Sequence, residues 1–228
     1  HLVKEYQALI KRIMEISRKY QYGRTLQLRD CFPYTFEKEI QKPRKVAMLY
    51  KEVYICRNYQ RDQIHTAQNY EEIARQILAG EVQAGIGIIE DIGKGESDEL
   101  NRVLTEQKLY INRCQVAEEG CGKKKVVEFS ASLAVLPEHN RLKICFVCPN
   151  RSGALSSILS MISDYGVNLT EIHSMPYQDE EDWNYRFFAE LSLNLLQQEA
   201  KALVYQLACE TQNLKLLGSY FCEGDFIK

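Results

Sequence analysis

The most regular patterning of apolar and polar positions lies between residues 142 and 221. Leu142 to Val147 alternates as a half-buried strand does, and Pro149-Asn150 breaks it. Leu155, Ile158, Leu159, Ile162 and Tyr165 then recur at helical spacing, and Gly166 and Asn168 supply the stop. Val167 to Met175 and Tyr185 to Leu193 predict two further strands. Ala200, Leu203, Val204 and Leu207 mark a second amphipathic helix over 197–211, and Leu214 to Phe221 predicts a last strand. Strand, helix, strand, strand, helix, strand is the split βαβ order of a ferredoxin-like sandwich.

The pattern before residue 142 is looser. A helix is predicted from Leu2 to about Gln21, with Val3, Leu9, Ile10, Ile13, Met14, Ile16 and Tyr20 spread so widely that the helix needs cover from another chain or from the connector that follows. That connector carries Gly23, Pro33 and Pro43, and its aromatic residues Phe32, Tyr34 and Phe36 predict that it packs on a surface. Lys45 to Tyr50 and Val53 to Tyr59 predict strands, Tyr70 to Leu78 a helix, and Ala84 to Glu90 a strand buried on both faces. Ser97 to Leu104 predicts a helix capped by Ser97. The expected class is α+β, divided as an N-terminal helix (1–24), a connector (25–44), a small α/β lobe (45–139) and a βαββαβ unit (140–228).

Composition narrows the function. With 228 residues, a formal net charge of -2 and 26% charged residues, the chain has room for two modest cores and no basic excess that would suit nucleic acid. No apolar run approaches the roughly 20 residues of a membrane helix, and no signal-peptide pattern opens the chain, so a cytoplasmic location and no membrane partner are expected. His1 is not an initiator methionine, which points to a longer natural protein. The 8 cysteines lack paired spacing. Cys145-x-x-Cys148 falls on a strand, where positions three apart face opposite ways, so buried free thiols are expected and no metal or cofactor. His1, His65, His139 and His173 have no neighbouring acid or nucleophile at catalytic spacing and are assigned to surface or packing, and Asp179-Glu180-Glu181-Asp182 to a solvated turn.

Four motifs in order carry a resemblance: Asn150-Arg151-Ser152-Gly153-Ala154-Leu155-Ser156, Asn168-Leu169-Thr170, His173-Ser174-Met175-Pro176, and Trp183 to Phe188. Together they resemble the ACT regulatory domain of prephenate dehydratases. The resemblance implies a homodimer joined through this domain, with phenylalanine or another amino acid held at the seam. Its ligand residues would be Gly153, Ala154, Leu155, Ser156 and Asn168, with His173, Ser174, Met175 and Pro176 from the other copy. A glycine at a helix start also has a physical logic, because free N–H groups and the helix dipole favour a carboxylate. Ser156 stands where the family has Val, Ser152 where it has Pro, and His173 and Met175 replace a Glu and an Arg. A unit that only dimerises fits the same segment.

A second resemblance lies upstream. Gly80 to Gly95 is similar to the prephenate dehydratase segment ending in Pro-Ile-Glu-Asn-Ser, keeping Glu90 but placing Asp91 for Asn and Ile92 for Ser. Gly85 and Gly87 are equally accounted for by close packing. Between Val116 and Lys125, where the family inserts a whole second lobe, this chain has eight residues. Val127-Glu128-Phe129 aligns with the family's Thr-Arg-Phe, and valine has no proton to give where the family's Thr assists the leaving hydroxyl. Finally, Ile13 to Gln21 resembles the last helix of the all-helical chorismate mutase domain, matching a Ser and a Gln of its active site with Ser17 and Gln21. The resemblances imply a relative of the bifunctional chorismate mutase/prephenate dehydratases of phenylalanine biosynthesis. Two functions follow from them: a regulatory, dimerising module with a catalytically degenerate dehydratase lobe, or an active prephenate dehydratase inhibited by phenylalanine.

Overall fold

The computed structural model describes residues 2–29, 31–56, 58–119, 122–178 and 183–223, so the acidic stretch 179–182 and His1 lie outside them. In chain order the elements are α1 (Leu2–Leu28), β1 (Val46–Leu49), β2 (Ile64–Ala67), α2 (Tyr70–Leu78), β3 (Ala84–Ile92), β4 (Gly95–Glu96), α3 (Asp98–Gln107), β5 (Tyr110–Glu119), β6 (Gly122–Ser130), β7 (Arg141–Pro149), α4 (Ala154–Asp164), β8 (Asn168–Gln178), β9 (Trp183–Ser192), α5 (Gln198–Glu210) and β10 (Gln212–Tyr220). All the strands belong to one mixed sheet ordered β2-β1-β3-β6-β5-β10-β7-β9-β8, with β4 hairpinned onto β3. β1 runs parallel to both β2 and β3, while the four strands from β10 to β8 are antiparallel throughout.

The halves of the sheet meet where β10 lies parallel to β5, with Gly218 opposite Ile111. Glycine is required there: a Cβ on Gly218 would sit 2.3 Å from the Ile111 carbonyl oxygen. One core lies between the sheet and α2 and α3, built on Tyr70, Ile73, Leu100, Leu104 and Phe129, and it continues across the joint to Cys145 and Phe188. A second core lies under α4 and α5, around Ile144, Phe146, Ile158, Ile162, Leu203 and Leu207. Phe32, Tyr34 and Phe36 of the connector pack on this second core, and Tyr34 donates to the Leu214 carbonyl at 3.2 Å.

Three expectations change, and one stretch that carried no prediction takes regular structure. β7 is buried on both faces from Arg141 to Cys148, because it runs between β9 and β10 with α3 on one side and α4 and α5 on the other. Among the described residues of 53–59 no strand forms: β1 already has β2 on one edge and β3 on the other, and Tyr50–Ile55 coils into a 3₁₀ helix. The polar stretch 110–130 is a long hairpin, β5 pairing with β6 down to Glu119 opposite Gly122. Helix α1 is longer than predicted and is not covered by the connector: none of its residues is buried.

Candidate functional site

The Gly80–Gly95 segment is a strand followed by a tight hairpin. Its glycines serve packing, since a Cβ on Gly87 would fall 2.6 Å from the Tyr70 ring and one on Gly85 2.4 Å from Phe129. Past them, Glu90 meets Lys125 Nζ at 2.9 Å, and Asp91 pairs with Lys94 at 3.1 Å inside the turn leading to β4. On β6, Val127 and Phe129 point into the core beneath α2 and α3. Glu128 points to the opposite face, where the Tyr59 hydroxyl donates to it at 2.7 Å and Arg113 lies 3.3 Å away. Beside them is a cavity of about 420 Å³, lined among others by Ile86, Val126, Arg113, Tyr59, His139 and Phe221. Glu90 and Glu128 thus look to different faces, each with its charge already matched.

Lys125 belongs to a larger buried ion network that the linear sequence does not display. Its ammonium also reaches Glu171 at 3.1 Å and Glu190 at 3.7 Å. Lys143, 1% exposed, meets Glu96 at 2.7 Å, and Glu96 in turn accepts from the Asn101 amide. Glu190 accepts from the Tyr220 hydroxyl at 2.6 Å and from Thr170 at 2.8 Å. Glu90, Glu96 and Lys125 come from one half of the sheet; Lys143, Glu171 and Glu190 come from the other. Burial works against ionising Lys143 and Lys125, and the surrounding carboxylates override it, so both ammonium groups are held more firmly than in water. Burial pushes Glu171 up to about 7, with Lys143 and Lys125 opposing and Glu96 and Glu90 adding to the rise. Burial is outweighed at Glu190 by Lys125 and the Tyr220 hydroxyl, which hold that carboxyl below its usual range. A lysine among the Leu, Ile, Cys, Phe and Val of residues 142–148 was the one sequence signal of this network.

The residues matched to amino-acid binding fall on two faces of the sheet. Gly153 opens α4 with φ +82° and is exposed, as is Ser156; Ala154 and Leu155 pack against the core under α4 and α5. Asn168 is exposed at the start of β8. On the same strand Met175 packs toward the α2–α3 core, with His173 beside Phe188, and the His173 Nε2 meets Asp98 of α3 at 2.6 Å. That pairing corrects the expectation that His173 has no acidic neighbour: the acid lies 75 residues away in sequence. Ser174 and Pro176 alternate to the other face and are exposed. Within one chain, therefore, Gly153 and His173 are not brought together. Ser17 and Gln21 are exposed on α1. Cys145 and Cys148 do face opposite ways, one into each core. Among the described residues no cluster of three or more His, Cys, Asp or Glu is arranged to hold a metal, and no helix is long and apolar enough to cross a membrane.

With this geometry in hand, the chain can be set beside known proteins. Over most of its length it superposes on a prephenate dehydratase from Streptococcus mutans (TM-score 0.62, 18% identity, covering 77% of this chain and 97% of that one). The fold is prephenate dehydratase-like. The prephenate dehydratase of Arthrobacter aurescens in complex with L-Phe gives a TM-score of 0.64 at 13% identity, covering 78% and 90%. GqqA, described as a novel type of quorum quenching acylase, gives 0.67 at 18% identity, covering 79% and 96%. In sequence, the chain is 33% identical over 81 residues to the bifunctional chorismate mutase/prephenate dehydratase of Aquifex aeolicus (strain VF5), a match spanning 36% of this chain and 22% of that protein. The chain thus matches about a fifth of the length of this curated relative. No family model matches.

Proposed function

We propose that this chain is a regulatory and dimerising module related to the bifunctional chorismate mutase/prephenate dehydratases of L-phenylalanine biosynthesis. In this reading residues 45–139 are a dehydratase-type lobe retained as a scaffold, and residues 140–228 are a ferredoxin-like ACT unit. The observation that carries it is the β5–β6 hairpin: paired down to Glu119 and Gly122, it leaves no second lobe to close a cleft over a substrate. Val127 in the core, and Glu128 neutralised by Tyr59 and Arg113, leave the aligned motif with neither an acid nor a free cation. Steady-state assay of prephenate conversion to phenylpyruvate is expected to show no turnover above background; turnover near 1 per second, within the usual enzyme range, would overturn the scaffold reading. The breadth of the likeness to prephenate dehydratases favours one alternative, an active dehydratase with a compact site, and the same assay decides between them.

The order β10-β7-β9-β8 with α4 and α5 on one face supports the ACT assignment, and β8 supplies an 11-residue outer strand. An edge of that length is a template for a second copy. Pairing β8 to β8 gives a homodimer whose seam lies beside the Gly153 segment and the His173–Pro176 segment, where an amino acid such as phenylalanine would bind. Because His173 replaces an acid and is already engaged by Asp98, affinity is expected to be weaker than for the family's pattern by about 1–3 kcal/mol, the worth of a charge-assisted hydrogen bond. Calorimetry with phenylalanine on the wild type and on Gly153→Val tests this, and equal heats from the two proteins would refute the site.

A further inference from the structure

Two free thiols meet at the joint between the halves of the sheet, Cys114 on β5 and Cys222 just past the end of β10. The two strands run parallel from Ile111 opposite Gly218, and Cys114 and Cys222 follow that pairing by three and four residues. Neighbouring strands lie about 4.8 Å apart, inside the roughly 4.4–6.8 Å that a disulfide spans between Cα atoms. Both thiols turn into the core that holds Val127 and Tyr220, and the Cys114 thiol donates a hydrogen bond to the Cys222 sulfur. Their backbones are fixed. Cys114 is laddered to Val127 of β6, while Asn140 accepts from the Cys222 N–H at 2.9 Å and donates to its carbonyl at 3.0 Å.

The two sulfurs differ in chemistry. The hydrogen bond from Cys114 holds the Cys222 thiol below its ordinary range, with Lys125 and Arg141 adding to the effect and burial and Glu190 opposing it. The same bond, together with burial, pushes Cys114 up. Cys222 is therefore the nucleophile of the pair, and Cys114 is the thiol that stays protonated beside it. Cys114 also lines the cavity of about 420 Å³ next to Arg113, whose side chain is 41% exposed, so a molecule as small as hydrogen peroxide has a route from solvent to the pair.

We propose that Cys114 and Cys222 are a peroxide-sensitive dithiol, and that their oxidation to a disulfide locks the two halves of the sheet together at the β5–β10 joint. The Cys222 thiolate attacks one peroxide oxygen, the O–O bond breaks, and the departing hydroxide takes up a proton to leave as water. A sulfenic acid remains on Cys222. The Cys114 sulfur then gives up its proton and attacks the Cys222 sulfur, the S–O bond breaks, and a second water leaves. The two thiols lose two electrons and the peroxide gains them. The new bond closes a loop of about a hundred residues, from β5 through β7, β8 and β9 to the end of β10, and cross-links over such long loops restrict the unfolded chain most. Exchange with a small dithiol reverses it.

The test treats the full 228-residue chain with hydrogen peroxide, then unfolds and alkylates it and maps its peptides by mass spectrometry. The peptides carrying Cys114 and Cys222 are expected to be joined to each other, ahead of any other pair, and to separate again in dithiothreitol. Both thiols remaining open to alkylation, or either one joined to Cys56, the other thiol on the cavity wall, would overturn the proposal. In Cys114→Ser a sulfenic-acid probe should label Cys222, and in Cys222→Ser the same treatment should leave Cys114 a thiol; labelling of Cys114 instead would overturn the assigned roles. The lock is read separately on the wild type. Its urea midpoint should be higher after oxidation than before, a gap that Cys114→Ser should lose, and equal midpoints for the oxidised and reduced wild type would overturn the lock.

Discussion

At the scale of single residues, the decisive feature is a charge where the sequence pattern asks for none. Lys143 lies on a strand buried on both faces, and its ammonium is tied to Glu96 at 2.7 Å. A buried pair of this kind contributes little net stability, yet removing one partner strands the other charge. Lys143→Met is therefore expected to destabilise the protein by about 3–5 kcal/mol, and Lys143→Met combined with Glu96→Leu to recover most of that loss. Urea midpoints for the two single variants and the double form a cycle that measures the coupling, and additive effects would deny it. Gly87 makes a simpler case. With Tyr70 Cε1 only 2.6 Å from a would-be Cβ, and with the Tyr70 hydroxyl fixed 3.1 Å from each Glu52 oxygen, the ring has little freedom to yield. Gly87→Ala should lower stability by about 1–3 kcal/mol, as overpacking does, with the loss read from thermal or urea unfolding.

At the scale of elements, what the sequence made legible was whatever local periodicity governs. Helix α2 runs from Tyr70 to Leu78 as its spacing predicts, and the Ser97 side chain accepts from the Leu100 amide at the start of α3. The six elements from β7 to β10 follow the predicted order to within a few residues. Legibility ended where long-range pairing decides. The β5–β6 hairpin is rich in Arg, Gln, Glu and Lys, and the ladder of one strand against the other makes it a sheet despite that composition. Residues 53–59 carry strand-like composition but find both edges of β1 taken. Most of the candidate site was illegible for the same reason: Glu90, Glu96, Lys125, Lys143, Glu171 and Glu190 are spread over a hundred residues and meet only because β10 closes onto β5. That closure yields a prediction of its own. Gly218→Ala would press a methyl group against the Ile111 backbone, and amide exchange along β5 and β10 should speed up more than that in β8 or β9. Uniform exchange rates across the sheet would show that the joint is not a point of weakness.

At the scale of the whole molecule, the two halves share a sheet, a core and an ion network, and the last of these makes their union sensitive to pH. Burial, together with neighbouring Glu96 and Glu90, raises the Glu171 carboxyl to about 7, whereas in the unfolded chain it would titrate near the ordinary carboxyl value of about 4.5. Between those values the folded protein holds a proton that the unfolded chain releases, so stability is present in full below about pH 4.5 and falls as pH rises toward 7. The fall from this group alone is on the order of 3 kcal/mol, at up to about 1.4 kcal/mol per pH unit. His139 opposes it: burial lowers its pKa, so its contribution grows as pH rises through the ordinary histidine range. Glu190, held below its usual range, has given its whole contribution by about pH 5.5. The quantity that isolates Glu171 is therefore the difference between two profiles, wild type and Glu171→Gln, each from urea unfolding at pH 5 to 8. Glutamine keeps the shape and the hydrogen-bond donor of the protonated acid without its charge. The variant should match the wild type at pH 5 and exceed it increasingly toward pH 8, and parallel profiles would show that the junction between the halves holds no such proton.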